Sequence, residues 1–305
     1  MLSAKPWKLD AIARLLLSLI IFMFAGSLVA STIYYVGVGG KVAARFFLLG
    51  SSALVFLGAT LVLISRRWTL ENLRWRLIVL MICLYTGMGL WAWAQKIAGP
   101  APPGHPPWQM IIGTLSFQGA VLLLSVLFVR WHQVTWREAF GLSNHWHQAI
   151  LFGALTALIF FPVASWLQRA SVELIKGVLH LHVKGEEQLA VQTLRHAVSW
   201  LDQVTLGAVT ILLVPAGEEV LFRGILYPWI KRAGFPRLAL WGTALLFAGI
   251  HWTAMIFLPL FVLALLLTGL YEKTNNLLSP ITAHAMFNAL NFTMLCLQQR
   301  AATPH

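Results

Sequence analysis

Acidic residues are scarce in this chain: 10 Asp and Glu stand against 22 Lys and Arg in 305 residues, and charged residues of both signs make up only 10%. Soluble domains carry roughly a quarter charged residues, so a water-soluble globular fold is excluded. Cysteine is nearly absent. The two that occur, Cys83 and Cys296, fall in apolar runs and read as small buried side chains rather than as a disulfide or a metal pair. Three catalytic signatures are also missing: the serine elbow GxSxG, the zinc helix HExxH, and the GxGD of aspartyl intramembrane proteases.

What fills the chain instead is apolar. Hydrophobic residues account for 59% of it, and runs of about 20 residues, long enough to cross a bilayer, recur throughout. They lie near 12–36, 46–64, 77–94, 109–129, 149–167, 205–230, 238–255, 256–271 and 279–297. The expected fold is all-α, a polytopic membrane bundle of about eight or nine spans. Residues 1–148 supply N-terminal spans and 149–298 a second domain. Lys5, Lys8 and Arg14 stand at or before the start of the first run, but that run is too long for a signal peptide and no cleavage pattern follows it.

Between the spans, "GPAPPGHPP" from Gly99 to Pro107 cannot be helical and reads as a stiff extended loop. Residues 168–203 read as an interfacial segment. There Leu189, Val191, Leu194, Val198 and Leu201 recur at helical spacing between charges. His180, His182 and His196 lie in it and fit a wet face better than a metal site. Trp7, Trp68, Trp75, Trp108, Trp131 and Trp136 flank spans, as interface anchors do. Thr135 with Glu138 forms a capping box before the fifth span.

Lysine and arginine stay on the cytoplasmic side of short loops. Counted over nine spans with the N-terminus inside, 13 fall on inner segments and 8 on outer ones, so the N-terminus is expected in the cytoplasm. The net charge of +12 then faces anionic headgroups, at about 1 kcal/mol per residue near the surface. Nothing in it calls for nucleic acid; the expected partners are membrane lipids.

Against this background "PAGEEVLFRGILYP", Pro215 to Pro228, is anomalous. Each of Glu218, Glu219 and Arg223 costs about 2.5–3.5 kcal/mol at the centre of a span, so neighbours must satisfy them. Glu219 and Arg223 are four apart with the acid first, the favoured ion-pair order on one helix face. Glu218 points about 100° away, which leaves it as the carboxylate available for chemistry. "FAGIH" sets Phe247 and His251 four apart, and "HAMFNALN" does the same for His284 and Asn288, with Asn291 a turn further. Alone, each is explained as a core residue bonding a backbone carbonyl. Together they offer hydrolysis. A buried carboxylate beside an imidazole can take a proton from water and pass it to a leaving amine, while a second imidazole and a carboxamide stabilise the oxyanion.

In order and spacing, EEVLFR (218–223), FAGIH (247–251) and HAMFN (284–288) resemble the EExxxR, FxxxH and HxxxN motifs of the CPBP family of intramembrane proteases. That family, also called Abi or CAAX amino-terminal proteases, includes the Ras-converting CAAX endopeptidase. "LYEKTNNLLSPITAHAMFN", 270–288, resembles its tyrosine-glutamate and Pro-Ile stretch. The resemblance covers about 204–297. It implies a glutamate-type membrane endopeptidase in which Glu218 and His251 activate water, Glu219 and Arg223 organise the site, and His284 and Asn288 stabilise the oxyanion. It implies no cofactor. The implied substrate is a membrane-embedded or lipid-anchored peptide or protein.

Three competing readings use the same residues. Glu218, His251 and His284 could be three ligands of a catalytic zinc. The fold could serve as a non-proteolytic immunity or regulatory scaffold. Buried carboxylates and histidines also occur in proton-coupled transporters, though the chain shows no paired broken helices in corresponding halves.

Overall fold

The computed structural model describes residues 7–37, 42–63, 70–98, 107–142, 145–178, 189–197 and 199–302. Among these the secondary structure is helical, with no strand. In chain order the helices are α1 (Leu9–Gly37), α2 (Val42–Leu63), α3 (Leu70–Ala98), α4 (Pro107–Trp131), α5 (Trp136–Phe140), α6 (Trp146–Gly177), α7 (Leu189–His196), α8 (Trp200–Arg232), α9 (Pro236–Gly249), α10 (Ala254–Thr274) and α11 (Leu278–Ala302). The chain is a multi-pass membrane protein.

The described residues of the nine apolar runs fall on helices, except that 238–255 is interrupted by the turn 250–253; α1, α3, α4, α6, α8 and α10 have described stretches long and apolar enough to cross a membrane by length and composition, six where eight or nine spans were expected. Helix α9 has 14 residues, a rise of about 21 Å against a hydrocarbon core of about 30 Å. Helix α11 has 25 residues, but His284, Asn288 and Asn291 dilute its apolar character. In α2 the described apolar helix is Phe46–Val55. The loop Gly99–Pro106, Trp68, His180 and His182 lie outside the described residues.

By packing, the chain divides into two compact units, residues 8–120 and residues 1–7 with 121–305. The boundary between these units falls inside α4. In the first unit α1 packs on α2, and α2 along α3; Trp91 donates its indole N–H to Ser31 Oγ at 3.3 Å. Cys83, on α3, is buried and unpaired by disulfide; Cys296, on α11, is half-buried and likewise a free thiol.

In the second unit α6 lies against α11 and α10. Buried Ala149, Gly153, Ala157 and Ala164 face inward along α6, the small-residue spacing that lets membrane helices approach closely. A Cβ on Gly153 would stand 2.5 Å from the Ser279 carbonyl oxygen. Phe160, Ala164, Leu263, Leu267 and Ala283 form the apolar core between these helices.

The turns are fixed by specific side chains. The capping box before α6 is present: Thr135 N–H donates to Glu138 Oε2 at 2.9 Å, and Glu138 N–H to Thr135 Oγ1 at 3.3 Å. The Thr135 N–H, then its hydroxyl, hold the Glu138 carboxyl below its ordinary range. Gly141 follows at φ 68, where a side chain would collide with the Asn275 carbonyl oxygen. Leu277 N–H donates to the Phe140 carbonyl at 2.9 Å, and Asn276 Oδ1 caps Leu278 N–H at 2.9 Å. These bonds set where α11 begins, and with it the depth of His284 and Asn288.

The interfacial expectation resolves into parts. Helix α6 runs on to Gly177, while α7 buries Thr193 and Leu194 and accepts at the Leu194 carbonyl a 2.9 Å bond from Gln299 of α11. Trp75 and Trp131 are exposed, as anchors should be, at 67% and 62%. Trp7 is not an anchor: it is 5% exposed, because its indole N–H finds a protein carbonyl in place of a lipid headgroup.

Candidate active site

Helix α8 carries the two carboxylates, and its shape follows from two prolines. Pro215 has no N–H to donate to the carbonyl four residues back, and its ring crowds that turn. The helix widens to a π-turn over Val209–Leu213, and Val214 N–H reaches Val209 O instead of Thr210 O. Thr210 O therefore gets a helical donor neither from Val214 nor from Pro215. Asn288 of α11 supplies one, its Nδ2–H bonding Thr210 O at 3.0 Å. Pro228 has the same effect further along: Val220–Leu226 is a second π-turn, with Tyr227 N–H on Phe222 O. Such wide turns shift the side chains that follow them and recur at functional sites.

Between and within these turns lie Glu218, Glu219 and Arg223, at 5%, 0% and 2% exposure. Arg223 Nη1 donates to Glu219 Oε1 at 2.8 Å, the pairing expected from their spacing. The rest of the guanidinium is occupied by α10, with Nη2 on the Ala264 carbonyl at 3.0 Å and Nε on Thr268 Oγ1 at 3.4 Å. Thr268 is itself anchored to Ala264 O at 2.9 Å. Cζ lies 4.7 Å from the Phe247 ring centroid, close enough for a cation–π contact. A planar fork with five donors fits this set; a lysine ammonium cannot reach all of it.

Glu219 Oε1 has a second partner. His284 Nδ1 lies 2.9 Å from it, and because a carboxylate only accepts, the imidazole donates. This turns His284 Nε2 toward Glu218, whose Oε2 is 4.0 Å away. Arg223, Glu219, His284 and Glu218 thus form one buried chain of polar groups across α8 and α11. The sequence had paired Glu219 with Arg223 alone. The link to His284 spans 65 positions, and no spacing rule reaches that far.

Phe247 ties in the remaining histidine. Its ring contacts His251 at 5.1 Å, His284 at 5.7 Å and Phe222 at 5.3 Å between centroids. His251 Nδ1 lies 2.7 Å from the Phe247 carbonyl, which can only accept. The ring proton is therefore on Nδ1, and Nε2 keeps its lone pair in the neutral imidazole. His251 is half-buried in the turn that ends α9, next to Trp252, which is 91% exposed and at φ 54. Asn291 lies off the site, exposed and bonded within its own helix to Phe287 O at 2.8 Å. Residues the motifs did not mark are Thr268 and the Ala264 carbonyl. A lone threonine in an apolar helix gives no sequence signal of its partner.

Among the described residues no group of three or more His, Cys, Asp or Glu is arranged to hold a metal ion. The arrangement offers a lone-pair nitrogen on His251, a carboxylate on Glu218, and an imidazole backed by a second carboxylate on His284.

Residues 200–290 match the family described as type II CAAX prenyl endopeptidase Rce1-like. The chain is also similar to the uncharacterized protein YpbD of Bacillus subtilis (strain 168), with 35% identity over 83 residues. That alignment takes in 26% of this chain and 40% of the relative, so it spans less than half of YpbD. No solved structure matches.

Proposed function

We propose that this chain, a member through residues 200–290 of the Rce1-like CAAX endopeptidase group of the CPBP family, is a membrane endopeptidase of glutamate type. It hydrolyses peptide bonds in a membrane-embedded or lipid-anchored substrate, without a resident metal or other cofactor. The observation that carries the mechanism is the sharing of Glu219 Oε1 between Arg223 and His284.

The roles follow from the donors and acceptors. Glu218 and the Nε2 of His251 are the two acceptors for the protons of a water. As the water oxygen attacks the peptide carbonyl, its proton passes to Glu218, and the carbonyl π electrons move onto oxygen. The oxyanion is met by N–H donors from His284 Nε2 and from the second amide hydrogen of Asn288. Glu218 then delivers its proton to the leaving amine, and the C–N bond breaks. For His284 to donate at Nε2 while Nδ1–H stays on Glu219, it must be an imidazolium. The buried set of Glu218, Glu219, Arg223 and His284 then has no net charge, the condition under which burying four ionic groups is tolerable.

Water can reach this site because α9 is short. Non-helical backbone at membrane depth is tolerated only where it is covered by protein or bathed by water. The turn 250–253 is only partly covered, about 21 Å from the start of α9. Its exposed side opens at the end of the unit opposite Lys231, Arg232 and Arg237.

The proposal is tested with purified protein in lipid nanodiscs and a library of peptides bearing apolar or prenylated C-terminal tails. Cleavage detected by mass spectrometry, and lost in Glu218→Gln and His251→Ala, is the expected result. Cleavage that persists in Glu218→Gln overturns it.

A further inference from the structure

Trp7 lies far outside the matched region, 217 positions from Gly224, yet its indole Nε1–H donates to the Gly224 carbonyl at 3.2 Å. The ring packs against Phe128 at 4.9 Å and, edge-on, against His132 at 5.1 Å. His132 is fixed in turn by Nδ1 on the Phe128 carbonyl at 2.8 Å.

The choice of acceptor has a physical reason. The carbonyl of Gly224 would ordinarily take a bond from the N–H four residues on, and that residue is Pro228, which has none. Gly224 itself is forced: a Cβ there would lie 2.6 Å from the Phe140 ring. The wide turn 220–226 is thus held by Phe140 packed on its glycine and by Trp7 bonded to its carbonyl. Arg223 is the residue immediately before.

We propose that Trp7 is a positioning residue of the hydrolytic site. By filling the Gly224 carbonyl it fixes the rotation of α8 at Arg223. That rotation decides whether the guanidinium reaches Glu219, Ala264 and Thr268 at once, and so how Glu219 orients His284. The kinetic consequence rests on the peptidase reading above; the effect on the turn does not.

The test compares wild type with Trp7→Phe, which keeps an aromatic ring between Phe128 and His132 and removes the N–H donor together with part of the buried indole. Full-length protein in nanodiscs is measured for amide exchange over 220–232, for kcat and KM on a peptide the wild type cleaves, and for its melting midpoint. Expected are faster exchange across the turn and a kcat lower by about fivefold, the effect of one lost hydrogen bond, with KM unchanged. The melting midpoint should fall by about 2–4 °C. Pro228→Ala returns a backbone N–H to α8, and added to Trp7→Phe it should restore protection and kcat.

Wild-type exchange and kcat in Trp7→Phe overturn the proposal. So does a lower melting midpoint with kcat per folded molecule unchanged, which is packing alone, or a double variant no better than Trp7→Phe. If the wild type cleaves no peptide, the peptidase reading fails, and exchange over 220–232 still decides the role of Trp7.

Discussion

At the scale of single residues, the site depends on a guanidinium whose donors are spread over three acceptors. Arg223→Ala leaves Glu219 buried without its guanidinium partner, a loss that typically costs about 3–5 kcal/mol. A sharply reduced yield of folded protein, and a lower melting midpoint in what remains, are expected. Arg223→Lys should be nearly as harmful, because a point charge cannot bond Glu219, Ala264 O and Thr268 together; a wild-type melting midpoint in the lysine variant contradicts this. Asn288→Ala should lose two things, an oxyanion donor and the bond to Thr210 O. Its kcat/KM is expected to fall on the order of a hundredfold with a measurable drop in melting midpoint. Unchanged turnover would leave Asn288 a helix tie only.

The residue pairs legible in the sequence were those within one helix. The Glu219–Arg223 pair follows from a spacing of four, and so does the placement of Phe247 above His251. Contacts between helices were not legible. The 2.9 Å bond of His284 to Glu219 and the seating of Arg223 on Thr268 depend on how α8, α10 and α11 are set against one another. Trp7 misled for the same reason: position beside a span suggested lipid, and only tertiary packing gives its N–H a carbonyl.

At the scale of elements, the prolines of α8 were visible in the sequence, but the two wide turns they accompany were not, since a proline fixes what bond is lost and not how the helix recovers. The shortness of α9 was hidden too. An unbroken apolar stretch runs from α9 into α10, and the break is made by Trp252 in a left-handed conformation where glycine would be the usual signal. If the turn 250–253 is wet, Trp252→Cys in a background with Cys83 and Cys296 replaced should react with a membrane-impermeant maleimide. Reaction only with a permeant reagent, or from the side of Arg232, contradicts an aqueous mouth at that end. In α5 the capping box makes a prediction about pH. Glu138 is held below its ordinary value by Thr135, so its carboxylate steadies the turn above the unfolded-state value, and that support fades as pH falls through the lowered folded value. Amide protection of 135–140, measured relative to the intrinsic exchange rate at each pH, should fall over that window, and not in Glu138→Gln, where the charge is already gone.

At the scale of the whole molecule, Trp7, the α5 turn, the α8–α9 loop and the α10–α11 turn gather at one end of the unit that carries the site. Arg232, Arg237 and Lys273 are exposed there. We propose this end as cytoplasmic, in the cell membrane, on the same charge asymmetry that the sequence showed. Helix α11 begins at that end and runs away from it, so a C-terminal alkaline phosphatase fusion expressed in bacteria should be active, and a C-terminal fluorescent protein dark; the reverse result overturns the orientation. The all-helical class and the multi-pass character were legible because composition and run length determine them. Which helices pack together was not, since run length says nothing of it.

Glutamate catalysis and zinc catalysis call on the same side chains and differ in what Glu218 does. Cleavage that survives exhaustive chelation is expected; loss on chelation with recovery on adding zinc would move Glu218 from base to ligand.

The most direct test of the central assignment compares membrane proteomes from cells making wild type or Glu218→Gln at equal levels, read as new peptide termini. Termini that appear only with the wild type are the predicted result, and they would name the substrate. Identical termini in both, with any cellular phenotype retained by Glu218→Gln, would contradict a Glu218-dependent peptidase and favour a membrane scaffold built on the same helices.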